Sequence, residues 1–417
     1  MNDFVQYAPT EVVFGREMEK LAGKQVRKWN GTRVMIVFGG SSAKKSGLLD
    51  RVEGSLTDAG VEYVEFGGVK PNPRLAYAEE GVKIAAAAGV DFILAVGGGS
   101  AIDTAKAIAH GTANPGKDLW DIWTLKTPLE KTLPVGVILT IPAAGSEMSN
   151  SAVLTNEAEQ RKVGLSSDLN RVKFAIMNPE LAFTLPRWQL ICGIADIMMH
   201  TMERYFIEGI KCDLTDEIAE GLLRTVIANG RLVVKTVIAN GCLDVKNETV
   251  IANGRLVVND ETDYDAMAEI MWASSISHNG LTGDGRGGDF SVHKIGHALS
   301  AAYDATHGAS LTAVWGSWAR YLYADAPKRF ARYARNVWGV TEENDLLAAE
   351  AGIQKTVDYF REIGLPVSLA ELLPGKDLSD EVLNHLAAAA TLNDTVKLSR
   401  IRPLGQKEIF EILKAAM

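Results

Sequence analysis

Three of the chain's seven histidines, His293, His297 and His307, fall within residues 291–310, SVHKIGHALSAAYDATHGAS. Imidazole is the commonest metal ligand and the usual acid–base group near neutral pH. Upstream, GIADIMMHTMERYF places Asp196 four residues before His200, and His293 and His297 repeat that spacing. On a helix, positions i and i+4 share one face about a turn apart, which suits two ligands of one ion. His307 lies fourteen residues past His293, a separation of about 21 Å along one unbroken helix. Residues 303–308, YDATHG, carry helix-ending types, so His307 is expected to open the next segment and return to the same site. One carboxylate with three imidazoles selects a borderline divalent ion, Fe²⁺ or Zn²⁺, over Ca²⁺ or Mg²⁺. Either pair alone is a common accident of amphipathic helices; their concentration carries the argument.

A second constellation is LAVGGGSAID, residues 94–103. Gly97, Gly98 and Gly99 stand between an apolar run and a helical one. Backbone N–H groups at such a helix start can donate to a pyrophosphate, glycines let it approach, and Ser100 adds a hydroxyl. The pattern is not GxGxxG, and a tight strand-to-helix turn would read the same way. Cofactor choice is written at the end of the first clear strand. A reader of NAD places a carboxylate there for the ribose 2′-hydroxyl. Here the strand ends in Phe38, Gly39, Gly40 and Ser41, followed by Lys44 and Lys45. With no acid in that run to repel a 2′-phosphate, NADP(H) is expected.

Two kinds of periodicity must position these residues. RVMIVFGG, VEYVEF, VDFILAVGGG and KTLPVGVILTIP are short apolar runs that alternate with helical stretches such as SGLLDRVEGSLTDAG and RLAYAEEGVKIAAAAG. That alternation predicts a parallel sheet with flanking helices, a Rossmann-like α/β domain over residues 1–185. From Pro186 the pattern becomes long and amphipathic, which predicts an all-α domain over 186–417.

Bulk properties narrow the function. At 417 residues the chain suits two domains. A formal charge of −9 excludes a nucleic-acid or anionic-membrane reader. No apolar run reaches membrane-spanning length, and the start, MNDFVQYAPTEVVFG, lacks a basic-then-apolar leader. Three cysteines without a CxxC pair fit a reducing compartment. A cytoplasmic protein is expected.

The motifs then converge on one family. YAPTEVVFG, FGGSSAKKSG, Asn72-Pro73, GGGSAID, TIPAAGSEMSNSAV, NPELAFTLP, GIADIMMH and GLTGDGRGGDFSVHKIGHALSAAYDATHG resemble the iron-containing (group III) alcohol dehydrogenases. The likeness is nearest to their NADP-type butanol dehydrogenase branch and covers nearly the whole chain. It implies metal ligands Asp196, His200, His293 and His307, with His297 beside the ion as a catalytic proton relay. It implies cofactor contacts at Gly39, Gly40, Ser41, Asn72, Gly97, Gly98, Gly99, Ser100, Asp103, Thr140, Ser149, Ser151, Val153 and Lys162. The implied reaction is hydride transfer between NADP(H) and a primary alcohol or aldehyde such as butanol or butanal, in a homodimer. Two rival readings stand beside it. A lyase of the dehydroquinate synthase type would use NAD and metal on a related scaffold, but AAG after the Thr140 region and the lack of a dense basic set oppose it. An inactive binder would follow if a local duplication disturbed the fold.

That duplication is TVIANGRLVV, present at 225–234 and again at 249–258, with TVIANGCLDV between them at 236–245. Each Asn-Gly reads as a helix stop. The insert is therefore expected to form short surface pieces whose apolar residues, Val226, Ile227, Val237, Ile238, Val250 and Ile251, cannot all enter one core.

Overall fold

A computed structural model describes residues 1–239 and 261–417. The chain forms two compact units, one of Tyr7–Leu185 and one of Pro186–Met417 joined by Met1–Gln6.

The first unit is built on six parallel strands: β1 (Glu11–Phe14), β2 (Arg33–Phe38), β3 (Glu62–Gly67), β4 (Phe92–Gly97), β5 (Val135–Leu139) and β8 (Phe174–Met177). Their order is β1-β8-β5-β4-β2-β3. The inner strands are apolar throughout because helices cover both faces of a parallel sheet; every residue of β5 is buried, as is all of β2 after Arg33. Helices α1 (Leu48–Asp58), α2 (Leu75–Ala88) and α3 (Gly99–Ala113) follow β2, β3 and β4 in turn. Leu48, Leu49, Val52 and Leu56 of α1 pack on Val34, Ile36 and Phe38 of β2, the i, i+1, i+4, i+8 stripe of an amphipathic helix. A separate antiparallel hairpin, β6 (Ser151–Asn156) with β7 (Arg161–Ser166), covers Trp120 and Trp123 through Ala152, Leu154 and Leu165.

Among the described residues the second unit is helical: α4 (Arg187–Tyr205), α5 (Asp213–Ala239), α6 (Glu261–His278), α7 (Ser291–Tyr303), α8 (His307–Leu322), α9 (Pro327–Trp338), α10 (Asp345–Ile363), α11 (Asp380–Ala390) and α12 (Gln406–Ala415), with one-turn pieces between. No described helix is long and apolar enough to cross a membrane. Phe206 stacks on Phe330 at 4.3 Å between ring centres and meets Tyr333 at 5.0 Å, forming an aromatic core.

The repeat corrects the sequence expectation. Helix α5 runs unbroken through the first copy, with Asn229 and Gly230 in its interior. Val226, Ile227, Val233 and Val234 are buried rather than surface residues. A Cβ at Gly230 would lie 2.4 Å from Tyr359 Oη and 3.3 Å from the Ile194 side chain. Glycine is there for close helix packing, which overrides its weak helix propensity. The same helix takes in the first four residues of the second copy, 236–239; the rest of that copy and all of the third lie outside the described residues.

Candidate functional site

In the helical unit, α4 carries Asp196 and His200 on its buried face, both 5% exposed or less. Helix α7 brings His293 from its first turn. It ends at Asp304, whose φ of 51° is left-handed, and α8 restarts at His307. That break returns His307 to within 5.2 Å of His293, ring centre to ring centre.

Three imidazoles converge on a single carboxylate oxygen. His200 Nδ1 is 3.4 Å from Asp196 Oδ1, His293 Nε2 is 3.5 Å away, and His307 Nε2 is 3.8 Å away. Asp196, His293 and His307 offer ligand atoms that all lie within 4.8 Å of one another, and the His200 ring is 4.5 Å from that of His293. Among the described residues, His200 Nδ1 and His293 Nε2 are buried without a hydrogen-bond partner. Buried polar atoms are nearly always satisfied. Ligand bonds of about 2.1 Å place neighbouring donors roughly 3.3 Å apart or somewhat more. The residues therefore fit a divalent ion. His297 stands beside the cluster, 5.4 Å from the His307 ring and 6.3 Å from that of His293.

Supporting residues escaped the sequence reading. Glu203, fully buried one turn beyond His200, accepts the N–H of Val292 at 2.6 Å and of His293 at 3.2 Å through Oε1. Its Oε2 bonds His293 Nδ1. Desolvation alone would depress His293, but the charges of Glu203 and Asp196 outweigh it and hold the ring up at about 9. Burial, then His278, press His200 well below the usual histidine range. Arg204 donates to His200 O at 2.7 Å and Ser277 O at 3.0 Å, and reaches His278 Nδ1 at 3.3 Å. His278, at the end of α6, meets His200 edge to face at 4.0 Å. The one available signal was the position of Glu203, seven residues after Asp196 and so on the helix face that carries the ligand pair.

In the α/β unit, Gly97 ends β4, Gly98 caps α3, and Gly99 and Ser100 form its first turn. A Cβ at Gly98 would come 2.7 Å from Ile141 Cβ, so only glycine fits that approach. Thr140 follows β5 and its N–H donates to Gly97 O at 3.1 Å. Asp103 is buried with both oxygens engaged: Oδ1 accepts Ser146 Oγ at 2.5 Å, and Oδ2 accepts Val153 N–H at 2.9 Å. Lys106, fully buried one turn on, donates at 2.8 Å to Ser146 O, Ser146 Oγ and Ser151 O; burial draws it down to about 8. These two side chains thus fix the segment that carries Ser149, Ser151 and Val153. Asn72, in left-handed conformation, accepts Lys162 Nζ at 2.9 Å. Gly39, Gly40 and Ser41 follow β2 directly. That run carries no acid of its own, but β3 brings Glu65 to 2.5 Å from Lys44 Nζ, a neighbour that the local sequence does not show.

Known proteins bear on these two sites. The profile described as iron-containing alcohol dehydrogenase matches residues 9–179, and that of the Fe-containing alcohol dehydrogenase family, C-terminal, matches 238–417. The chain belongs to the iron-containing alcohol dehydrogenase family. It is 37% identical to NADH-dependent butanol dehydrogenase A of Clostridium acetobutylicum, over 99% of both chains. It is 32% identical to the NADPH-dependent aldehyde reductase YqhD of Escherichia coli, over 89% of each. The crystal structure of NADH-dependent butanol dehydrogenase A from Thermotoga maritima superposes with a TM-score of 0.89 at 34% identity, covering 100% of this chain and 99% of that one. As an iron-containing alcohol dehydrogenase the chain is an oxidoreductase acting on small alcohols and aldehydes, and the family goes with a nicotinamide cofactor and a metal.

Proposed function

We propose that the protein interconverts a primary alcohol and its aldehyde, of the butanol and butanal class, with NADP(H) and an Fe²⁺ or Zn²⁺ ion held by Asp196, His200, His293 and His307. The observation that carries this reading is the convergence of three ring nitrogens on Asp196 Oδ1. A bound ion supplies Lewis acidity toward the substrate oxygen, and the bound nicotinamide supplies or accepts the hydride. The chain's own part is preorganisation. Glu203 locks the His293 ring with Nε2 toward Asp196, as carboxylates behind metal-binding imidazoles do. Arg204 does the same for the backbone of His200 and the ring of His278. His297 is placed to pass a proton between the substrate oxygen and solvent.

NADP(H) is supported by Gly39, Gly40 and Ser41 in place of an acid after β2. The relatives' names point both ways, one NADH-dependent and one NADPH-dependent. We assign the enzyme to the cytoplasm as a homodimer; both described cysteines, Cys192 and Cys212, are free and buried.

The test is an initial-rate panel of straight-chain aldehydes with NADPH and NADH, on metal-stripped protein reloaded with Fe²⁺ or Zn²⁺. Net oxidation of NADPH by butanal, restored by metal, is expected. A lyase of the dehydroquinate synthase type would give no net oxidation, and that result would overturn the reading.

A further inference from the structure

The segment after β2 presents one cation that a neighbouring strand already neutralises. Lys44 sits in the one-turn helix Ser42–Lys45. Its Nζ lies 2.5 Å from Glu65 Oε2 and 5.4 Å from the centre of the Phe38 ring. Glu65 belongs to β3, whose register pairs Ile36 with Glu65 and Phe38 with Gly67. Beyond that pair, Gly68 N–H donates to Gly39 O at 2.8 Å and Val69 N–H to Phe38 O at 3.2 Å. The backbone that carries Gly39 is therefore tied to the backbone just past Glu65. The bond to Glu65, with lesser contributions from Glu53 and Asp50, keeps Lys44 more firmly protonated than an isolated lysine.

We propose that Glu65 is a specificity-determining residue for the cofactor: by engaging Lys44 it restrains selection of a 2′-phosphate over a 2′-hydroxyl. The inference rests on the reading above that residues 39–45 border the adenosine ribose. A 2′-phosphate is a dianion that competes with the Glu65 carboxylate for the same ammonium and is repelled by it. A 2′-hydroxyl does neither. The pair is half exposed, at 55% for Lys44 and 36% for Glu65, so the effect is that of screened charges several ångströms apart, roughly threefold to tenfold in selectivity. An exposed carboxylate on an adjacent strand thus moderates a preference set by the glycines.

The experiment compares wild type, Glu65→Gln, Lys44→Gln and the double variant as metal-loaded enzymes. It reads the NADPH-to-NADH ratio of kcat/KM with butanal, and by calorimetry the dissociation constants of 2′-phospho-ADP-ribose and ADP-ribose. Glu65→Gln is expected to raise the ratio about threefold to tenfold and to tighten only the phosphorylated probe. Lys44→Gln is expected to lower the ratio, and in that background Glu65→Gln should change it less than about twofold. No change or a fall in Glu65→Gln overturns the proposal, as does an equal rise without Lys44. Wild type favouring NADH would overturn the NADP(H) reading instead, since the sign of the Glu65 effect and its dependence on Lys44 are read separately.

Discussion

Glu203 uses one oxygen on the backbone N–H groups of Val292 and His293 and the other on His293 Nδ1. One buried carboxylate thereby fixes both the start of α7 and the ring orientation of its first histidine. Replacing it with Ala leaves buried donors unsatisfied, a loss of about 1–3 kcal/mol. Support of this kind is worth about tenfold to a hundredfold in metal affinity. Glu203→Gln should keep much of the fold stability, which thermal melting of the metal-free protein checks, yet weaken Co²⁺ or Zn²⁺ in a chelator competition. Unchanged affinity would reduce Glu203 to a helix cap.

The ligand set divides the histidines. His307→Ala should lose most bound metal by elemental analysis, and activity with it. His297→Ala should retain the metal and turn over more slowly. The reverse pattern, with His297→Ala stripping metal and His293→Ala sparing it, would show that the assignment of His293 over His297 is wrong.

Gly39 has room for a side chain: the nearest atom to a Cβ there is Val69 O, at 3.7 Å. Gly39→Asp should therefore fold normally and set a carboxylate against a 2′-phosphate. Coulomb repulsion at such range is worth on the order of tenfold in the NADPH-to-NADH ratio of kcat/KM. A ratio that does not move would place the adenosine ribose elsewhere.

Deleting residues 225–248 joins Arg224 to Thr249 and restores TVIANGRLVV after Arg224. The residues that fill the contacts of Val226, Ile227, Gly230, Val233 and Val234 would be identical, so the variant should fold, bind metal and reduce butanal at a similar rate. Gly230→Ala should instead cost about 1–3 kcal/mol through overpacking against Tyr359, seen as a lower melting temperature. Failure of the deletion variant to fold would make the duplication integral to the helical unit.

The α/β sheet was legible where strands are long and buried on both faces. RVMIVF and FILAVG could be little else, and the all-α character of the second unit showed in its long amphipathic stretches. The four-residue strands β1 and β8 are too short for any period to register, and the β6–β7 hairpin takes its meaning from Trp120 and Trp123, which only folding brings beneath it. At the site, spacing picked out Asp196 with His200 and His293 with His297. Glu203 and Arg204 read as an ordinary charged helix end because their partners, the start of α7 and the ring of His278, come from other helices. Asn229-Gly230 misled for the same reason: Tyr359 and Ile194, not local propensity, decide that the helix continues there.

The unbroken passage of α5 through the first TVIANGRLVV has a consequence for how substitutions will be tolerated. Val226, Ile227, Gly230, Val233 and Val234 form the buried face of that stretch, yet the chain holds a second, letter-for-letter candidate for the same place at 249–258. A substitution in one copy removes one of two equivalent occupants, and looping out the damaged copy is inexpensive, at about 0.6 kcal/mol for each doubling of loop length. Val226→Asp should therefore lower the melting temperature of the full chain less than the same change made in the deletion variant, where no understudy remains. Burial usually marks where a protein is brittle; here it coincides with a built-in redundancy.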